Sequence, residues 1–145
     1  MQNSFISIIL FPEIFLSIAT LILLLIGLFQ KENSFRNINN LSVVALIFTF
    51  ILIYFDRSLS LGSYELFFKS SSFIQFFKYL VIIGCLASLI ISKNYFIESK
   101  LDRFEIPILI LFSCIGMMIL ISSNDLISMY LGIELQSLAL YVVAT

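Results

Sequence analysis

Histidine and tryptophan are absent from this 145-residue chain. Without histidine, the chain cannot build a His-ligated metal site or a Ser-His triad from its own residues. It has little charge: only 12% of residues are Asp, Glu, Lys or Arg, with a formal net charge of -1 and no basic tract. That gives no footprint for nucleic acid. Two cysteines, Cys85 and Cys114, lie far apart in sequence inside apolar segments, which reads as buried free thiols and not as a disulfide or a metal pair. Proline and glycine are few. What fills the chain is apolar: 61% hydrophobic residues, 16 of them Phe, and a mean hydropathy of +1.11. A soluble domain averages about 45–50% apolar and about 25% charged, so this is an integral membrane protein. The Phe, Ile, Asn and Lys usage also fits an AT-rich coding sequence of the kind found in organelle genomes.

Five apolar segments can be marked out, over 8–29, 39–55, 73–92, 106–122 and 125–144, each long enough to cross a bilayer or nearly so. The fold expected is an all-α, polytopic bundle. The start has no basic n-region and no small-residue cleavage site, so the first segment reads as a retained helix. Pro12 and Pro107 stand in first turns, where a missing N–H costs nothing. Glu13, beside Pro12, reads as an interfacial, solvated or N-terminus-paired carboxylate. Tyr64, Phe67 and Phe68 suit the headgroup zone. Gly84 and Ser88 form a small pair that would admit a neighbouring helix, and Ser113 with Gly116 forms the small face of the fourth segment. The connection 123–125 is so short that segments four and five must be antiparallel neighbours.

The last segment carries the chemistry. Asn124 and Asp125 are good N-cap residues. Glu134 follows about nine residues later, roughly 13 Å along the axis, near the middle of a hydrocarbon core about 30 Å thick. An ionised side chain there costs about 2.5–3.5 kcal/mol on insertion scales, so it marks a functional site by default. Tyr130, Ser137 and Tyr141 share its face, and this stripe should meet other helices or water. Burial favours the neutral acid and a nearby cation the carboxylate, so a group between the two can exchange a proton. Lys78 is a second candidate, either snorkelling to the headgroups or facing the interior.

The basic residues set the orientation. Lys31, Arg36, Lys93, Lys100 and Arg103 fall on one side, Arg57 and Lys69 on the other. The positive-inside rule puts the N-terminus outside, and the loop over 93–105 and the C-terminus in the matrix or cytoplasm.

The run Phe104-Glu105, Leu111-Phe112-Ser113-Cys114-Ile115-Gly116-Met117-Met118, Ser123-Asn124-Asp125-Leu126, Met129-Tyr130-Leu131-Gly132-Ile133-Glu134-Leu135-Gln136-Ser137-Leu138 and Tyr141-Val142 resembles subunit 2 (bacterial subunit N) of respiratory complex I. Mitochondrial forms of plants and protists are the nearest likeness. Phe11-Pro12-Glu13 and Phe76-Phe77-Lys78 are also similar to that family, and segments two and three match mainly in hydropathy. The resemblance implies an antiporter-like subunit of the membrane arm that translocates protons and holds no redox cofactor. NAD, FMN, iron–sulfur clusters and ubiquinone would belong to other subunits. Glu134 matches the family's fifth-helix carboxylate of the central proton path, whose usual partner is a Lys on the seventh helix. That helix is missing here, since the family's full subunit is roughly three times longer. The resemblance therefore implies a split gene, with a second polypeptide supplying the remainder, or a fragment of a longer chain. It further implies partners among the other membrane-arm subunits and lipid, and a place in the mitochondrial inner membrane in preference to a bacterial plasma membrane. In the mitochondrion, the orientation read from the basic residues puts the N-terminus in the intermembrane space. Two other readings compete: an independent small cation transporter or channel with Glu134 as the ion site, and a structural scaffold in which Glu134 only packs.

Overall fold

A computed structural model describes residues 11–30, 34–56, 72–100 and 103–144. They form five helices, α1 (Phe11–Phe29), α2 (Ser34–Asp56), α3 (Ser72–Glu98), α4 (Glu105–Ser122) and α5 (Leu126–Ala144). All five are long and apolar enough to span a membrane, and no strand occurs among the described residues. The aromatic loop with Tyr64, Phe67 and Phe68, the basic residues Lys31, Arg57 and Lys69, and the first residues of segment one lie outside the described residues.

Two helices outrun their apolar segments. The stretch after Phe29 reads as loop to Asn40, yet α2 begins at Ser34. The reason is a continuous buried stripe, Phe35, Ile38, Asn39, Ser42, Leu46, Thr49 and Ile53, which keeps helical spacing through the polar residues. Likewise α3 continues past Ser92 to Glu98, so much of the charged 93–105 stretch is helix. Its 27 residues span about 40 Å, more than the hydrocarbon needs, and its last turns reach the polar zone. There Lys93 Nζ donates to Asn40 Oδ1 at 3.0 Å and Phe96 meets Phe35 edge-on, tying the end of α3 to the start of α2. Lys100 follows with a positive φ of 55°, the left-handed conformation that often terminates a helix.

The bundle is organised around α4, which touches each of the other four helices. Leu16 and Leu23 of α1, Ile38, Leu46 and Ile53 of α2, Ile82 and Leu89 of α3, and Leu111, Ile115 and Met118 of α4 make one apolar core. Several hydroxyls inside the bundle bond within their own helices: Ser17 donates to Glu13 O at 2.8 Å, Ser42 to Ile38 O at 2.7 Å and Thr49 to Ala45 O at 2.8 Å. Such back-bonds let polar residues sit inside an apolar bundle without partners from other helices. The outer surface is as apolar as the core. Leu25, Phe29, Ile90 and Ile91 are all exposed, as expected of a lipid-facing wall.

α4 and α5 form a tight antiparallel hairpin. Ser123 closes α4 by giving both its N–H and its hydroxyl to Leu120 O, and Asp125 O accepts the first bond of α5, from Met129 N at 3.0 Å. The helices then cross at Gly116 and Gly132. A Cβ on Gly116 would lie 2.7 Å from Gln136 N and 2.9 Å from Gly132 O. The small pair Gly84/Ser88 does not play that part. Both are exposed, and nothing lies within 4 Å of the Cβ position at Gly84. Gly84 and Ser88 stand between the buried positions Ile82, Cys85 and Leu89, so helical geometry turns them outward.

Candidate functional site

Glu13 is neither solvated nor paired with a helix N-terminus: its partners are side chains of two other helices. It is 3% exposed, Lys78 is 4% exposed, and the two form a salt bridge between α1 and α3. Ser122, at the end of α4 and fully buried, donates to Glu13 Oε1 at 3.1 Å. The other carboxylate oxygen, Oε2, has no hydrogen-bond partner among the described residues. Three helices therefore converge on one carboxylate. Isolated buried charges are untenable in an apolar interior, whereas a paired and hydrogen-bonded one is tolerated. Lys78 takes the interior reading, and snorkelling is excluded by its burial.

The pair was readable in principle. Segments one and three run in the same direction in an up-down bundle. An acid and a base near the start of each therefore lie at similar depth. Glu13 also heads a stripe of buried α1 positions, Leu16, Thr20, Leu23 and Gly27, which fixes its inward direction. Ser122 carries no such signal, because a serine ending an apolar helix reads as a cap.

Glu134 is the ninth of nineteen residues in α5, close to its midpoint, and is half-buried. Its surroundings differ from those expected. The α4-facing side of α5 consists of Gly132, Leu135, Gln136 and Ala139. Glu134 is two residues beyond Gly132, about 200° around the axis, and Tyr130, Ser137 and Tyr141 lie on its side. Tyr130 and Tyr141 are 61% and 67% exposed. The polar stripe thus turns away from α4 instead of into this five-helix group. The structure does not bring Lys78 and Glu134 together: Lys78 is committed to Glu13.

Cys85 of α3 and Cys114 of α4 are free and buried, and although distant in sequence they are near enough to influence one another. No group of three or more potential metal ligands occurs among the described residues.

These features define a polytopic membrane bundle holding one closed ion pair and one carboxylate stripe left open on an outer helix. Comparison with known proteins gives that class a particular likeness. The chain is 41% identical over 133 residues to NADH-quinone oxidoreductase subunit N of Paramagnetospirillum magneticum, 44% over 137 residues to that of Pelagibacter ubique and 38% over 136 residues to subunit N 1 of Rhizobium meliloti. Each match covers 92% of this chain. The likeness to subunit N of complex I therefore holds along nearly the whole sequence, helices α2 and α3 included. The chain spans 27–28% of the length of these relatives. No family model matches it.

Proposed function

We propose that this chain forms part of the membrane-embedded, proton-translocating portion of an NADH-quinone oxidoreductase, with Glu134 on the proton path and no redox centre of its own. The observation that carries this reading is the open stripe of α5. A half-buried carboxylate at mid-membrane needs a partner, and the described helices leave its side of α5 uncovered. The relatives have more than three times this length, and their remaining sequence is the natural source of that partner. NAD, FMN, iron–sulfur clusters and quinone are assigned to other subunits.

The partner is a second polypeptide, or further sequence of the same one, packing on the exposed side of α5 where Tyr130, Leu131, Leu138 and Tyr141 lie. Other membrane-arm subunits and lipid cover the remaining apolar wall. The organellar composition supports the mitochondrial inner membrane, and the basic residues support an N-terminus in the intermembrane space and a C-terminus in the matrix. Blue-native electrophoresis of native membranes, followed by mass spectrometry, tests the assembly. The chain should migrate within a large NADH-oxidising complex, beside peptides that match the rest of the relatives' sequence. A stable free monomer or homo-oligomer as the main form would overturn the proposal.

A further inference from the structure

Resting on that reading, we propose that Glu13, Lys78 and Ser122 form a second proton-exchange site, distinct from Glu134 and opening through a groove between α1, α4 and α5. A plain structural tie would use both carboxylate oxygens. Here Oε1 takes both partners, Lys78 and Ser122, while Oε2 is left without a hydrogen bond among the described residues. A buried acceptor in that state carries a desolvation cost that a proton or a water molecule would relieve.

The route to it is present. A groove of about 360 Å³ is lined by Glu13, Ser17 and Ser128, with Ile18, Ile119 and Leu131 as walls. At about 30 Å³ per water molecule it has room for water, and Glu13, Ser17 and Ser128 are the polar groups on its mostly apolar lining that would hold one. Ser17 spends its proton on Glu13 O, so its oxygen faces the groove as an acceptor. Ser128 brings α5 into the same groove, about 9 Å along the axis from Glu134. The titratable groups facing Glu13 among the described residues are Lys78 from α3 and the Cys114 thiol from α4.

The cluster also has a defined level. Ser122 ends α4 and Glu134 lies about 12 Å into α5 from the same connection. The pair therefore stands between the level of Glu134 and the membrane face that holds the 123–125 turn. The exchange balances without any co-reactant. Lys78 Nζ passes a proton to Oε1, turning ammonium and carboxylate into amine and carboxylic acid. The acid then releases a proton from the carboxyl group to the groove, and the amine takes up another. A buried charge pair gains its attraction against a desolvation cost, so a change of charge nearby bears directly on how the pair is held.

The test compares Glu13→Gln, Lys78→Met and the double variant Glu13→Gln/Lys78→Met with Glu134→Gln, all in the native complex. Assembly, NADH-to-quinone turnover and protons moved per NADH are measured, together with the protonated-carboxyl band in redox-difference infrared spectra. Either single variant leaves one charge unpaired and can lower assembly. The double variant removes both charges and should restore it. The proposal expects the assembled double variant to pump less per NADH than wild type, with a carboxyl band lost. Full pumping and an unchanged band in the assembled double variant would overturn the second site and leave only a structural tie. That failure is separable from failure of the functional reading, which Glu134→Gln reports independently.

Discussion

The crossing of α4 and α5 sets where Glu134 stands, and it can be perturbed with a single methyl group. Gly116→Ala would place a carbon 2.7 Å from Gln136 N and 2.9 Å from Gly132 O. Gly132→Ala would place one 2.9 Å from Leu120 N and 3.0 Å from Gly116 O. Comfortable carbon contacts begin at about 3.5 Å, and every atom met is backbone, so no side chain can swing aside. The helices must part by roughly 0.5–1 Å, loosening the contacts around the crossing. Overpacking of this kind costs about 1–3 kcal/mol. Replacing a helical glycine by alanine returns up to about 1 kcal/mol of helix propensity. The net expectation is a loss of about 1–2 kcal/mol at each site. Gly84→Ala is the comparison, since no described atom lies within 4 Å of its Cβ position; only the propensity gain applies. Retention of the assembled complex on blue-native gels after a temperature series measures all three. Gly116→Ala and Gly132→Ala should fail at lower temperature than wild type, and Gly84→Ala should not. Wild-type thermal resistance in both crossing variants would refute the close approach.

Ser122→Ala removes the hydroxyl donor to Glu13 Oε1 and should cost about 1.5–3 kcal/mol, the range for a hydrogen bond to a charged group; the same heating series detects it, and no change would mean that Lys78 alone holds the carboxylate. For topology, protease added from the matrix or cytoplasmic side should cut at the end of α3, around Lys100, where the helix has outrun the hydrocarbon. Cleavage there only from the opposite side would contradict the orientation.

The class of fold was legible because lipid imposes a coarse rule, that every spanning segment be apolar and internally hydrogen-bonded. Five segments follow from that rule, and the 123–125 connection makes the last two a hairpin. Helix ends were less legible. The Asn-rich start of α2 and the charged end of α3 read as loops because polar residues ordinarily mark solvent, yet their periodicity continues. Glu134 stood out because a lone acid in an apolar run is conspicuous. Glu13 did not, because a carboxylate in a first turn has an ordinary explanation at the membrane surface. Its burial depends on Lys78 and Ser122, 65 and 109 residues away, and periodicity within one segment does not report such contacts. The missed Gly116–Gly132 crossing has the same cause: several small residues were available, and only the packing decides which pair meets.

The most direct test of the functional reading is proton translocation by Glu134→Gln in the assembled complex. Glutamine keeps the size and most of the hydrogen bonding of the side chain but cannot ionise. The complex should assemble at the wild-type level, while quinone-linked turnover and protons moved per NADH both fall. Glu134→Asp, which keeps the carboxylate on a shorter stem, should retain part of the activity. Full pumping by Glu134→Gln in a fully assembled complex would contradict the account and make this carboxylate a packing residue.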